Sequence, residues 1–374
     1  MPFGSEPESA WPVGDAVEAP LAALERAMRP ALARPPCLVS FSGGRDSSAV
    51  LAIARSLALR EGLDPPVPVT LRFPDAPQAR EDNWQELVVR ELGLGEWERL
   101  EGGDMDFVGP AARPLLRRHG VLWPPNAFLH TRILDSFPGV SLLSGIGGDQ
   151  LLATWRWAAL ADVLGRRRRP RPKDPLRLVY VSLPARLRVP RERQRARDVF
   201  PSWVRPDASR RLCAGVAAHA AGEPSRWPEW VRWRVRGRDL CVGLSTHRTY
   251  AAERAALVAH PLATSSFAAA LARAGGRLGF GDRTATMRAL CGDLLPEALL
   301  ARSSKATFGE VFWGDHARRF AERWDGSGVD GETVDPDALR RAWLAPSPDA
   351  RAALLLQAAW LEDDRRHGRG DAAA

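Results

Sequence analysis

Apolar positions along the chain fall into short unbroken runs and longer helical stripes. Val17, Leu21, Leu24 and Met28 recur at helical spacing and predict a helix over 17–29, ended by Pro30, Pro35 and Pro36. Cys37-Leu38-Val39-Ser40-Phe41 is a run of strand length, read as a buried strand. The helical period returns over 47–60, with Val50, Ile53, Ala54 and Leu57 inward. A second strand is predicted over 67–73 and a helix over 80–92, and Val140-Ser141-Leu142-Leu143 is a further short apolar strand. Strands alternating with helical stripes predict an α/β fold, a parallel sheet with helices on both faces.

The pattern divides the chain into a disordered lead over 1–16, an α/β core over 17–160, a connection over 161–204 and a mostly helical C-terminal part over 205–374. The connection is read as exposed because of Arg166-Arg167-Arg168-Arg169-Pro170-Arg171-Pro172-Lys173 and Arg191-Glu192-Arg193-Gln194-Arg195-Ala196-Arg197. No internal repeat is visible. The tryptophans of Trp227-Pro228-Glu229-Trp230-Val231-Arg232-Trp233 read as packing residues, with a partner-docking surface as the other use.

Composition changes this picture little. The chain has 374 residues, 45% hydrophobic and 26% charged, ordinary for a globular enzyme. The formal charge of +8 permits acidic or phosphorylated partners. The basic clusters match no nucleic-acid motif, so nucleic acid is not the expected ligand. Cys37, Cys213, Cys241 and Cys291 lie far apart without a C-x-x-C pair, which argues against a zinc or redox site. The first fifteen residues have no apolar stretch resembling a signal peptide, and no run approaches the roughly 20 apolar residues of a membrane span. A cytoplasmic protein is expected.

The chemistry lies in two glycine-rich turns, each following a predicted strand. Ser42-Gly43-Gly44-Arg45-Asp46-Ser47 joins the first strand to a helix. Its amides, with those of the helix start, can cradle an anion, and Ser42 and Ser47 add hydroxyl donors. Asp46 suits such a cradle only if it holds a cation, such as Mg²⁺ on a pyrophosphate. Neither the Walker loop nor the dinucleotide fingerprint is present. Ser144-Gly145-Ile146-Gly147-Gly148-Asp149-Gln150-Leu151-Leu152 follows the strand near 140. In a parallel sheet both turns open at the carboxyl edge, where Asp46 and Asp149 can share a metal.

The first turn resembles the signature of the N-type ATP pyrophosphatases, and the second the S-G-x-G-x-D-E-L-F segment of asparagine synthetases. A third stretch, Leu295 and Pro296 followed by Arg302, Lys305 and Phe308, is similar to that family's L-P-x-x-x-x-x-R-x-K-x-x-F, with one extra residue between Arg and Lys. A looser fourth, Glu253 through His260-Pro261-Leu262, lacks the family's closing Asp. The resemblance implies an ATP-dependent ligase that activates a carboxylate as an acyl-adenylate and passes it to an amine. It further implies nucleotide contacts at Phe41, Ser42, Gly43, Gly44, Asp46, Ser47, Leu71, Ser144, Gly145 and Gly147, and Mg²⁺ at Asp46 and Asp149. Catalytic roles fall to Lys305, Arg302 and Glu253, with Glu253 as a candidate base for the attacking amine.

Departures bend the expected reaction away from asparagine. Pro2 stands where a glutaminase domain has its cysteine, and only 41 residues precede the first turn, so this chain is not expected to make its own ammonia. Ile146 occupies the position that is Glu in asparagine synthetases and Tyr in β-lactam synthetases, and isoleucine accepts no proton. The lasso-peptide macrolactam cyclases are also similar, which would make the substrate a small molecule or peptide carrying a carboxylate and an amine, with a leader-peptide-binding protein as a partner. A tRNA-modifying pyrophosphatase and a non-catalytic peptide-binding homologue are the competing readings.

Overall fold

The computed structural model describes residues 18–302 and 304–367. The expected 1–16 lead lies outside the described residues. Five strands form one sheet: β1 (Cys37–Ser40), β2 (Val67–Arg72), β3 (Glu98–Glu101), β4 (Ser141–Ser144) and β5 (Leu257–Ala259). All pair in parallel, in the order β3-β2-β1-β4-β5. The chain winds outward from β1 to β3, then returns to the other side of β1 for β4. That reversal leaves a crevice at the carboxyl ends of β1 and β4, the position where such sheets bind ligands.

Alternation along the strands explains the layers. Leu38 and Leu142 point to one face and pack with Ile133 and Leu134 of the Leu129–Ser136 helix. Val39 and Leu143 point to the other face, against α1 (Pro20–Leu32) and α2 (Arg45–Glu61). α1 does not stop at Pro30. Its last turn continues because Ala31 and Leu32 are both buried in this core, which offsets the hydrogen bond a proline cannot donate. α2 ends at Gly62, whose left-handed φ of 65° suits glycine. A third helix, α3 (Asp82–Glu91), follows β2.

Two boundaries expected from the sequence are corrected. The α/β part is not complete at residue 160, because β5 comes from 257–259. Trp227, Phe267, Leu271 and Met287 also join the same core as α2. The 161–204 stretch is mostly exposed, but it is helical and not an irregular connection. It contains the Asp174–Ser182 and Ala185–Asp198 helices, and Arg188, Glu192 and Ala196 form a buried stripe at helical spacing. The buried Glu192 carboxylate is the organiser. It accepts from Arg156 at 2.8 Å, from Arg195 at 2.9 Å and from the Tyr180 hydroxyl.

The remainder is mostly helical, as expected, around a second core that includes Phe107, Phe128, Phe312, Trp324, Trp343 and Trp360. Trp227 and Trp230 are buried packing residues, and the Trp227 indole donates to the Leu271 carbonyl at 3.1 Å.

Candidate active site

The first turn is held by its own hydroxyls. Ser47 Oγ accepts from the Ser42 amide at 3.3 Å and donates to the Gly44 carbonyl at 3.1 Å, and Ser42 Oγ accepts from the Gly44 amide at 3.2 Å. Gly43 has φ 82°, and a Cβ there would lie 2.8 Å from Gln85 Cγ. The loop must therefore be glycine where it turns under α3, and Gln85 of α3 fixes it by donating to the Ser42 carbonyl at 3.0 Å. The start of α2 contributes free amides above this ring.

The second turn closes directly onto the first. A Cβ on Gly145 would sit 2.9 Å from the Ser47 amide nitrogen, and one on Gly148 only 2.3 Å from Asp46 Cγ. Gly147, at φ 100°, would collide with the backbone of Leu262 and Ala263. The glycines of the S-G-I-G-G-D string are thus a seam, allowing two strand-end loops to touch without side chains between them.

Across that seam Asp46 and Asp149 share one guanidinium. Arg283 Nη2 donates to both Asp46 oxygens at 2.6 Å, and its Nη1 donates to Asp149 Oδ1 at 2.9 Å. Lys305 Nζ reaches Asp149 Oδ2 at 3.2 Å, with most of its side chain in solvent. Burial pushes the Asp46 carboxyl up, and Arg283 offsets this only in part. For Asp149 burial also works upward, but the bonds and charges of Arg283 and Lys305 outweigh it, and its pKa falls. Arg283 was not foreseen from the sequence. Its available signal was local: Asp282 accepts from the Ala285 amide at 2.8 Å as an N-cap, which makes Arg283 the first residue of the Arg283–Cys291 helix.

Two carboxylates that already share a cation, beside an anion-binding helix start, suit Mg²⁺, which takes one or two protein carboxylates and completes its shell from phosphates and water. Among the described residues no group of three or more His, Cys, Asp or Glu side chains is arranged to cage an ion.

Other expected site residues fall in different places. Phe41 is buried, and its backbone is spent in the sheet, donating to the Val69 carbonyl at 2.8 Å and accepting from Thr70 Oγ1 at 2.8 Å. Leu71 is half-buried near the carboxyl end of β2. Arg302 is a correction. It is buried against Glu81, donates to the Gly43 carbonyl at 3.0 Å, and lies over the Trp84 ring. It props the first turn from beneath and does not reach into the crevice. Glu253 is a second correction. It ends the Arg238–Glu253 helix ahead of β5, at the amino edge of the sheet, where it pairs with Arg118 at 3.0 Å and His119 at 3.1 Å. A base for an amine at the carboxyl edge cannot be drawn from there.

The structure instead brings three histidines to the carboxyl edge. His260 Nδ1 lies 2.7 Å from Ser144 Oγ, which also accepts from the Ile146 amide at 3.3 Å. The His247 ring stands 5.5 Å from that of His260 and 5.0 Å from that of His130. Burial pushes all three down, to about 3 for His260, about 2 for His247 and about 4 for His130, so the cluster is uncharged at neutral pH.

The family model of asparagine synthase matches residues 21–362, nearly the whole described chain. The chain belongs to the asparagine synthase family. The family is one of ATP-dependent, amide-forming ligases, and the two turns with their shared cation lie where the five-stranded parallel sheet of this chain opens. A further similarity, 36% identity over 69 residues, is to a UPF0502 protein of Burkholderia multivorans. It spans 18% of this chain and 27% of that protein, too little to add to what asparagine synthase membership says about the site.

Proposed function

We propose that this asparagine synthase-family ligase joins a carboxylate to an amine through an acyl-adenylate, releasing pyrophosphate and then AMP. The observation that carries this reading is the pair Asp46 and Asp149 facing each other across the glycine seam with Arg283 between them and Lys305 alongside. The amides at the start of α2, with Ser42 and Ser47, hold the phosphates. Asp46 and Asp149 hold Mg²⁺, which when bound neutralises charge on the departing pyrophosphate. Arg283 and Lys305 are the cations that take over the leaving charge once the carboxylates are engaged. The acid attacks the α-phosphorus, and the amine then displaces AMP from the acyl carbon.

The nucleophile is an amine carried by a small molecule or peptide, a reading supported by Ile146, which puts no proton-accepting side chain at that position of the second turn. Closure within one peptide, as in the lasso-peptide cyclases, is the form this reading takes if acid and amine share a chain. No described helix is long and apolar enough to cross a membrane. The test is ATP–pyrophosphate exchange driven by a panel of carboxylic acids and carboxylate-bearing peptides. Exchange that needs both Mg²⁺ and an acid, and that disappears in Asp46→Ala, is expected. Exchange surviving in Asp46→Ala would sink the assignment.

A further inference from the structure

The 164–216 segment concentrates two properties rarely exposed together. Ten large apolar side chains are exposed among the described residues, and eight of them lie here: Leu164, Leu176, Leu178, Val179, Leu187, Val199, Leu212 and Val216. The same 164–216 segment carries sixteen Lys and Arg against four Asp and Glu, a net +12. The whole chain is only +8, so everything outside the segment sums to −4. Contiguous exposed apolar surface marks an interaction site, whereas scattered apolar side chains need no explanation.

The apolar positions follow helical spacing. Leu176 and Val179 are one turn apart on the Asp174–Ser182 helix, and Leu212 and Val216 one turn apart on the Pro206–Ala221 helix. Other sides of the latter are spent on packing, with Ala208, Cys213, Ala217 and Ala221 buried. The segment is a firm platform, since Glu192 knits Arg156, Arg195 and Tyr180 together beneath it. It is also fastened to the site. Arg167 donates to the carbonyls of Gly279 at 3.1 Å and Leu278 at 3.4 Å, in the turn leading to Arg283.

We propose that this segment is a docking surface for an acidic polypeptide that presents an aliphatic helical face. Charge complementarity selects an acidic partner, and the Leu and Val pairs at one-turn spacing select an aliphatic one. A nucleic acid would meet no exposed aromatic on which to stack a base, and a membrane surface would meet no exposed aromatic anchor, because all eight side chains are Leu or Val. This inference concerns binding and stands whether or not the adenylation reading does.

The test is a display selection against the full chain, using a library of helices of about 18 residues, five turns, with random charged and apolar positions. Enriched sequences are expected to be acidic, with aliphatic residues three or four apart. A selected peptide should bind about tenfold more weakly to Leu176→Ser/Val179→Ser/Leu212→Ser/Val216→Ser, and also to Arg193→Glu/Arg197→Glu, as expected when central contacts are lost. Both variants should keep wild-type thermal stability and pyrophosphate exchange. No enrichment, enrichment without acidic bias, or equal binding to the variants overturns the proposal. Tighter binding of phosphatidylglycerol vesicles or tRNA than of any peptide, or a dimer abolished by the same substitutions, overturns it in favour of that occupant.

Discussion

Replacing Arg302 with Met separates a prop from a catalytic cation. The side chain is 5% exposed, as is that of its partner Glu81. Its Nη1 serves both Glu81 Oε2 at 2.9 Å and the Gly43 carbonyl at 3.0 Å, and Glu81 also accepts from the Ala306 amide at 2.8 Å. Methionine keeps much of the volume but leaves the Glu81 charge buried with one amide donor. Breaking a buried pair from one side costs about 3–5 kcal/mol. The orphaned Gly43 carbonyl adds about 1 kcal/mol. With an unfolding entropy of about 2.1 cal/mol/K per residue, 374 residues convert a total of about 4–6 kcal/mol into a drop in Tm of about 5–8 °C. Thermal and urea unfolding measure this directly. Glu81→Gln/Arg302→Met should recover about half, because no naked charge remains buried. An Arg302→Met protein with wild-type stability but no pyrophosphate exchange would refute the reasoning and return Arg302 to the reacting atoms.

Gly148→Ala places a Cβ 2.3 Å from Asp46 Cγ, so Asp46 must swing out of the seam, and exchange should fall by about a hundredfold with the fold kept by circular dichroism. Near-normal exchange would mean that Asp46 is not held where the seam puts it. Glu253→Gln should leave exchange and amide formation within about twofold of wild type, since its pairs with Arg118 and His119 lie at the amino edge of the sheet; loss of the amine step alone would restore it as a base. The histidine cluster gives a pH signature. His130, His260 and His247 are held at about 4, 3 and 2 in the folded chain, below the ordinary 6.5. As pH falls below about 6.5 the unfolded chain takes up these protons first, so stability is lost from there towards pH 4, at up to about 1.4 kcal/mol per pH unit per histidine. Urea midpoints at pH 7, 6 and 5 should fall less steeply in His247→Gln, and an unchanged slope would remove the cluster from the account.

The legible parts of the sequence were those whose physics is local. Strand β1, its glycine turn and α2 could be read because alternation, positive-φ glycines and a helical stripe all lie within 25 residues. The second turn was legible for the same reason. β5 was not seen as a strand, because Leu257-Val258-Ala259 is short and only half-buried at the sheet edge. The basic 161–204 stretch looked open because the buried carboxylate that folds it, Glu192, is a single residue among arginines. Arg302 and Glu253 were misjudged by the same route. A charge near a motif says nothing about its partner, and theirs lie far off in sequence, at Glu81 and at Arg118 and His119. Arg283 was invisible until the fold carried it to Asp46.

That last contact has a consequence for how the protein comes to exist. Arg283 meets Asp46 across 237 residues of chain, and Arg302 meets the Gly43 carbonyl across 259. The first turn leaves the ribosome well before the groups that brace it have been made. Closing such long intervals is slow, and a half-made chain carries its loop unbraced. A nascent chain that ends before residue 283 therefore carries the sequence of the first turn without either of these braces.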